Sequence, residues 1–163
     1  MIEQAFIVEK ESKLYKEYFE AQAEKQKMHD LARVFFAKHD LLNDGLGYRM
    51  IEPLAMQLTP EQKERYKTQL KKLEDVDGMC YFKKASPMYK EWHETVTSKV
   101  DFNIMDQLWC WYWPYIGQGS YALWHHCDVL YGYLCDKHKE KIELSSYMKP
   151  IKMSEYYTAK EAR

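Results

Sequence analysis

The sequence predicts an α+β fold in which a helical N-terminal half packs on an aromatic-rich antiparallel sheet from the C-terminal half. Three observations support this prediction. Helix start signals recur at Thr59-Pro60 and Ser86-Pro87, whereas rings and glycines become dense after residue 108. No internal repeat, low-complexity tract or Pro/Ser-rich linker divides the chain. Residues 1–163 are therefore expected to form a single domain.

The N-terminal segment predicts a short strand followed by one long helix. Residues 4–9 alternate loosely between apolar and polar, and Ser12 is placed to cap a helix that runs to about Leu41. The breaker cluster at residues 43–45 ends this helix. A homodimer is expected if the apolar stripe of the helix remains exposed. That stripe consists of Leu14, Tyr18, Ala21, Met28, Leu31 and Phe35.

The next segment carries the clearest local signal in the chain. Residues 46–58 mix β-forming residues with Pro53, so a strand here would be an edge or bulged strand. Thr59 then precedes Pro60 and Gln62, a spacing typical of a capping box with proline at the first helical position. The helix that follows buries one stripe, made of Tyr66, Leu70 and Leu73.

A strand and a third helix follow this unit. Asp77-Gly78 predicts a turn and residues 79–83 a strand. Ser86-Pro87 repeats the helix start signal. The apolar stripe of that helix consists of Tyr89, Trp92, Val96 and Val100.

The C-terminal part predicts an antiparallel meander. Residues 108–116, 120–125 and 129–135 have the composition of strands separated by short turns, and residues 142–144 are a candidate extension. Ser154 is then placed to cap a final helix over residues 155–162.

Charge and composition exclude several functional classes. The chain carries 24 basic and 25 acidic residues, so no overall positive field attracts nucleic acid or anionic lipid. Only four of the basic residues are arginine, the side chain that binds phosphate and guanine through two parallel hydrogen bonds. This composition argues against sequence-specific DNA binding.

The same composition predicts a cytoplasmic protein. No window approaches 18 consecutive apolar residues, and the first residues lack the basic and apolar regions of a secretory signal, so no membrane association is expected. The four cysteines are interpreted as reduced thiols that pack as small apolar side chains. They are Cys80, Cys110, Cys127 and Cys135.

Residues 108–115 read L-W-C-W-Y-W-P-Y and hold three of the five tryptophans. If this segment is extended, Trp109, Trp111 and Trp113 project from one face. Each large ring buries on the order of 150–250 Å² in a protein core, so the three together are sufficient to anchor helices. The alternative interpretation is a wall on which a base, a cofactor ring or a partner's side chain stacks.

The recognition hypothesis assigns binding to the rings of the C-terminal strands and to the turn at residues 117–120. This turn is either a simple hairpin or a set of backbone N–H groups that contacts a phosphate. The residues assigned to ligand or partner binding are Trp109, Trp111, Trp113, Tyr115, Gly117, Gly119, Ser120, Tyr121, Trp124, Tyr131 and Tyr133. Two targets compete: a small nucleotide, which requires a concave pocket, and a protein partner, which requires an exposed aromatic patch.

A metal-binding protein or small enzyme that uses the cluster from His125 to His138 is the alternative. The candidate metal ligands are His126, Cys127, Cys135 and His138, of which only the last two have the spacing of a paired zinc ligand. Neighbouring residues in a strand point to opposite faces, so no local triad forms around these cysteines. The expectation is therefore a protein without catalytic residues and without a cofactor.

With its short capped helices LTPEQKERYKTQL and SPMYKEWHETV and its Tyr/Lys/Met-rich texture, the chain resembles small accessory proteins encoded by bacteriophages. The resemblance implies a non-catalytic role in the host cytoplasm. Such a protein binds and inhibits a host protein, or sequesters a nucleotide signal used in bacterial immunity. No functional residue is carried over, because the resemblance rests on no shared motif.

Overall fold

The computed structural model describes residues 2–51, 58–72, 74–76, 79–81, 86–105, 121–135 and 144–163. In chain order its elements are β1 (Ile2–Val8), α1 (Lys13–Lys38), α2 (Gly45–Ile51), α3 (Pro60–Arg65), α4 (Lys67–Leu70), β2 (Glu74–Val76), β3 (Met79–Tyr81), α5 (Pro87–Thr95), a 3-10 turn (Thr97–Lys99), β4 (Tyr121–His126), β5 (Val129–Cys135), β6 (Met148–Ile151) and α6 (Met153–Glu161). Contacts divide the chain into two compact units: Met1–Glu24 with Phe102–Arg163, and Lys25–Asp101. We call them the sheet unit and the helical unit. The α+β class predicted from the sequence is confirmed.

The sheet unit contains an antiparallel sheet with the strand order β4-β5-β1-β6. The predicted strands at residues 4–9, 120–125 and 129–135 correspond to β1, β4 and β5. β1 lies between β5 and β6, so the N-terminal strand is central in the described part of the sheet. The predicted strand at residues 108–116 lies outside the described residues.

The last strand differs from the prediction. Residues 142 and 143 lie outside the described residues, and Leu144 is not in a strand. The strand β6 is formed instead by a segment that contains Pro150, opposite Phe6 of β1. β6 is at the edge of the described sheet, where a residue without a backbone N–H is tolerated.

Helices cover both faces of this sheet. On one face, Leu14, Tyr18 and Ala21 of α1 are buried against the sheet residues Phe6, Val8, Leu123, Leu130, Leu134 and Met148. On the other face, Tyr156 of α6 is buried against Ala5 and Trp124. The side chains alternate between the two faces as expected for β-strands.

The prediction for α1 is confirmed in its start and its buried stripe. The Tyr15 amide donates to the Ser12 hydroxyl at 3.2 Å, which caps the helix. The early stripe residues pack on the sheet, and Phe35 is buried in the helical unit, with Met28 and Leu31 packed beside it. Leu14, Tyr18, Ala21 and Phe35 are buried within the chain, whereas Met28 and Leu31 are half-buried, so the homodimer stays a prediction.

The helical unit has its own core around Trp92. This ring is 1% exposed and makes edge contacts with Phe35, Phe36 and Tyr48 at centroid distances of 5.1 to 6.1 Å. The Ser86 hydroxyl accepts from the Tyr89 amide at 3.1 Å, so the predicted cap of α5 is confirmed.

Two details of this unit differ from the sequence-based expectation. Residues 46–51 belong to helix α2 rather than to a strand, because Asp44 accepts from the Gly47 amide at 2.8 Å and caps a helix there. The Thr59–Gln62 capping box forms as predicted, but its helix is interrupted at Tyr66. Leu73 lies outside the described residues.

The final helix begins two residues earlier than predicted. Its N-cap is Lys152, without a side-chain hydrogen bond, and Ser154 lies inside the helix. Strand β6 ends at Ile151, so the chain turns directly from strand into helix. This start places Tyr156 against the sheet.

Candidate functional site

Four of the predicted binding residues have described positions, namely Tyr121, Trp124, Tyr131 and Tyr133. The other seven, Trp109, Trp111, Trp113, Tyr115, Gly117, Gly119 and Ser120, lie outside the described residues. The structure therefore leaves the tryptophan segment a prediction. It divides the four described rings between the two faces of the sheet.

Three of these rings, Trp124, Tyr131 and Tyr133, lie on the face of the sheet that α6 covers. We call these three rings, together with Ala5 and Ile151, the ring face. Trp124 lies directly opposite Tyr131 on the neighbouring strand, and the two rings stack at 4.5 Å with an angle of 15° between their planes. Tyr133 lies opposite Ala5 of β1. The alternation of side chains in β4 and β5 explains why these rings meet.

Most of the ring face is covered in this structure. Trp124 is 5% exposed, and its Nε1 donates to the Tyr156 hydroxyl at 3.1 Å. Arg163 places its guanidinium 5.6 Å from the centre of the Trp124 ring, a cation–π contact. Tyr131 and Tyr133 are half-buried. Trp124, Tyr131 and Tyr133 are thus brought together, but the indole of Trp124 is inside the core.

The fourth ring, Tyr121, lines a groove of about 720 Å³ at the N-terminal end of α1, which we call the N-terminal groove. Tyr147, in the turn before β6, forms a second aromatic wall. The other lining residues are Glu9, Lys10, Glu11, Ser12, Lys13, Leu14 and Glu17.

Backbone hydrogen bonds fix the walls of this groove. The Glu9 amide donates to the Tyr147 carbonyl at 2.8 Å, which joins the end of β1 to the turn before β6. The Ser12 amide donates to the Glu9 carbonyl at 3.0 Å, and its hydroxyl caps α1. Tyr121 makes an edge contact with the fully buried ring of Phe6 at 6.2 Å. Tyr147 is therefore held by a backbone hydrogen bond, and Tyr121 by its pairing with Leu134 in the sheet and its contact with Phe6.

The groove is lined by three glutamates and two lysines, and all five side chains form ion pairs. Glu9 pairs with Lys149 at 3.4 Å, Lys10 with Asp128 at 2.8 Å, Glu11 with Lys16 at 3.5 Å and Lys13 with Glu17 at 3.6 Å. These are surface ion pairs, each of which contributes only about 0–1 kcal/mol. They can exchange partners when a charged ligand approaches.

Tyr121 has an unusual electrostatic environment. Burial raises the pKa of its phenol, and the nearby Tyr147 and Glu17 raise it further because they disfavour a phenolate. The phenol therefore remains a neutral hydrogen-bond donor. The sequence identified Tyr121 but not Tyr147, Glu9 or Glu17, because the groove joins residues near the start of α1 to tyrosines that lie more than a hundred positions later in the chain.

The histidines and cysteines of the alternative hypothesis are only partly described. His126 ends β4, and Cys127 is an exposed thiol in the following turn, with a backbone φ of 54°. The side chain of Cys135 and the whole of His138 lie outside the described residues. Among the side chains that are described, no three His, Cys, Asp or Glu residues converge to form a metal site. The metal hypothesis stays a prediction.

His125 is held by a short hydrogen-bonded chain on the α1 face of the sheet. Gln22 donates to the Tyr18 hydroxyl at 3.1 Å, and this hydroxyl hydrogen-bonds Nδ1 of His125 at 3.1 Å. The Phe19 ring lies 5.2 Å from the imidazole. Burial lowers the pKa of His125, and the positive charges of Arg163 and His126 lower it further. This arrangement fits a neutral histidine within the fold.

No helix in the described part of the chain has the length and apolar composition required to cross a bilayer. Comparison of the chain with models of protein families, with curated proteins and with solved structures finds no significant match. The geometry of the molecule is therefore the basis for a functional proposal.

Proposed function

We propose that this chain is a non-enzymatic, cytosolic binding protein that recognises a protein partner through the N-terminal groove. The observation that carries the proposal is that two half-buried tyrosines, Tyr121 and Tyr147, form walls of a cavity of about 720 Å³. Tyrosine contributes strongly to protein interfaces, because its ring provides a large contact area and loses little conformational entropy on binding.

A concave pocket is the shape expected for a small nucleotide, but the balance of charges lining this groove favours a basic protein segment over a phosphate. The lining has three glutamates and two lysines, all in surface ion pairs, so a phosphate group would meet one more carboxylate than ammonium group. A partner segment that carries lysine or arginine would instead meet carboxylates and the faces of two phenols, both of which attract cations. The partner expected at this groove is therefore a basic peptide segment.

The resemblance to small bacteriophage accessory proteins supplies the biological setting of the proposal. In that setting the partner is a protein of the host cell, and binding inhibits or sequesters it. The groove then provides recognition, and no chemical step is required of this chain.

Binding to peptides of controlled charge tests the proposal. Labelled nine-residue peptides with a central lysine or arginine are titrated with the protein and followed by fluorescence polarisation, beside peptides with glutamate at the same positions. We expect binding of the basic set only. Tyr121→Ala and Glu17→Gln should each weaken it about tenfold, the scale of an interface residue that contributes more than 1 kcal/mol. Tyr157→Ala, a change at an exposed ring of α6, is the matched control and should bind as the wild type does.

A nucleotide screen distinguishes the competing target. A nucleotide present at 100 times its dissociation constant would stabilise the fold by about 2.7 kcal/mol, a shift that thermal unfolding detects readily. We expect no shift with any nucleotide. A shift that Tyr121→Ala abolishes would show that the groove binds a nucleotide rather than a protein partner. Equal binding of basic and acidic peptides would refute recognition by charge.

A further inference from the structure

In the described part of the sheet unit, α6 packs on the sheet through few side chains. Of its nine residues, only Tyr156 is buried. Met153 and Ala159 pack at the margin of the ring face, whereas Tyr157 is 48% exposed. Among the contacts that the structure describes, Tyr156 is therefore the main anchor of the helix.

This anchor contacts the rings that the sequence marks for recognition. The Tyr156 hydroxyl accepts from Nε1 of Trp124 at 3.1 Å. The Tyr156 ring makes edge contacts with Trp124 at 5.5 Å and with Tyr133 at 5.9 Å. Arg163, which follows the helix, lies over the Trp124 ring. The docked helix and its C-terminal end thus provide much of the cover of Trp124.

Elementary helix energetics make α6 the weakest of the elements around the ring face. A helix of nine residues is marginal by itself in water, and the N-cap residue of α6, Lys152, makes no capping hydrogen bond through its side chain. By contrast, β1 buries Ala5, Phe6 and Val8 and pairs with a strand on each side. Segments with few buried contacts open at a lower free energy than strands in the centre of a sheet.

We propose that α6 is a detachable cover of the ring face, and that the sheet unit opens by releasing this helix while its sheet remains folded. Among the described residues, release removes the cover that α6 provides over Trp124, Tyr131 and Tyr133 together with Ala5 and Ile151, an apolar surface rich in the residue types that dominate protein interfaces. The groove residue Tyr121 lies on the opposite face of the sheet. The cover is therefore independent of the function proposed for the N-terminal groove.

Hydrogen exchange of the unmodified full chain tests the proposal, with mass spectrometry to locate the amides. We expect the amides of α6 to exchange at least about tenfold faster than those of β1 and β5. Their exchange rates should also depend less on the denaturant concentration, as for a local opening. Equal rates and equal denaturant dependence in α6 and β1 would overturn the proposal, because the helix would then open only with the whole unit.

Substitution of the anchor provides a second measurement. Tyr156→Ala should bring α6 to the exchange rate of an unprotected chain, leave β1 and β5 within about threefold of the wild type, and increase the binding of a hydrophobic dye. Tyr156→Phe, which keeps the ring but loses the hydroxyl acceptor, should have a smaller effect. Tyr157→Ala, which removes one edge contact with the Tyr156 ring at 5.5 Å, should also have a smaller effect than Tyr156→Ala. Loss of protection in α6 and in the sheet together would show that α6 is an integral part of the core and would refute the cover.

Discussion

The residue Gly132 shows how closely the sheet unit is packed. It lies in β5 between Phe6 of β1 and Leu123 of β4. A Cβ atom at this position would lie 2.4 Å from Cζ of Phe6 and 2.8 Å from Cδ2 of Leu123. Both neighbours are fully buried, so neither has room to move away. The glycine therefore provides the space for the Phe6 ring.

The first prediction concerns this contact. Gly132→Ala should lower the free energy of unfolding by about 1–3 kcal/mol, the usual cost of overpacking a core, as measured by chemical denaturation. Gly45→Ala is the control, because a Cβ there meets nothing within 4 Å, and its effect should stay within about 0.5 kcal/mol. A Gly132→Ala protein as stable as the wild type would contradict this account of the packing.

The second prediction concerns His125, whose pKa is lowered from its ordinary value of 6.5 by burial, by Arg163 and by His126. Because the folded state has the lower pKa, the unfolded chain binds the proton more readily. The stability linked to His125 is fully present above pH 6.5 and decreases as the pH falls toward the folded-state pKa. His125→Gln should therefore reduce the loss of thermal stability between about pH 7 and pH 5.

The control for this measurement is His93→Gln. His93 is exposed on α5, where Nδ1 lies 2.8 Å from the Thr97 hydroxyl. The stability of this variant in the same measurement shows what the loss of an exposed histidine does. If His125→Gln and the wild type lose equal stability between these pH values, the acid sensitivity of the fold arises from other groups.

At the scale of elements, helix caps are where local sequence has the strongest effect. Ser12, Thr59 and Ser86 each accept a hydrogen bond from a backbone amide at a helix start. Each cap is a contact between residues three positions apart, so the sequence is sufficient to predict it. The cap at Asp44 is not predicted, because the sequence places Asp44 in a cluster that is typical of a helix end.

The third prediction concerns the cap of α5, the helix that carries Trp92. Ser86→Ala removes the acceptor of the Tyr89 amide and should lower the stability of the fold by about 1 kcal/mol. Ser86→Asp, which supplies another acceptor at the same position, should retain most of the wild-type stability in the same denaturation experiment. Equal destabilisation by both variants would mean that the serine acts through a contact other than the cap.

At the scale of the whole molecule, the sequence predicts one domain, whereas contacts divide the structure into a sheet unit and a helical unit. A single domain and two independent units would unfold differently. A single domain unfolds in one cooperative transition, and a destabilising change anywhere in it lowers the midpoint of that transition.

The fourth prediction follows from the single-domain hypothesis. Trp92→Ala should lower the free energy of unfolding of the helical unit by about 3–5 kcal/mol. Gly132→Ala should destabilise the sheet unit. Each variant should shift one common transition in calorimetry. Two transitions, with each variant shifting only the transition of its own unit, would show that the units unfold separately.

The fold class, the capped helices α1, α3 and α5, and the strands β4 and β5 were predictable from the sequence. Their signals are local: a capping hydroxyl, a proline at the first turn, or an alternating pattern of rings. The predicted start of α6 was wrong because Ser154 is an ambiguous local signal. The end of β6 at Ile151 determines where this helix begins.

The candidate site depended on contacts that no local pattern encodes. β1 pairs with β6 at positions such as Ala5 and Ile151, at opposite ends of the chain, and this pairing brings Tyr147 to Glu9. The same topology decides that Trp124 is covered by Tyr156 while Tyr121 borders a groove. The sequence by itself determined which segments become helices and strands, because hydrogen bonds and side-chain periodicity act over a few residues. Only the tertiary structure decided which rings are buried and which line a cavity, because burial depends on elements that are distant along the chain.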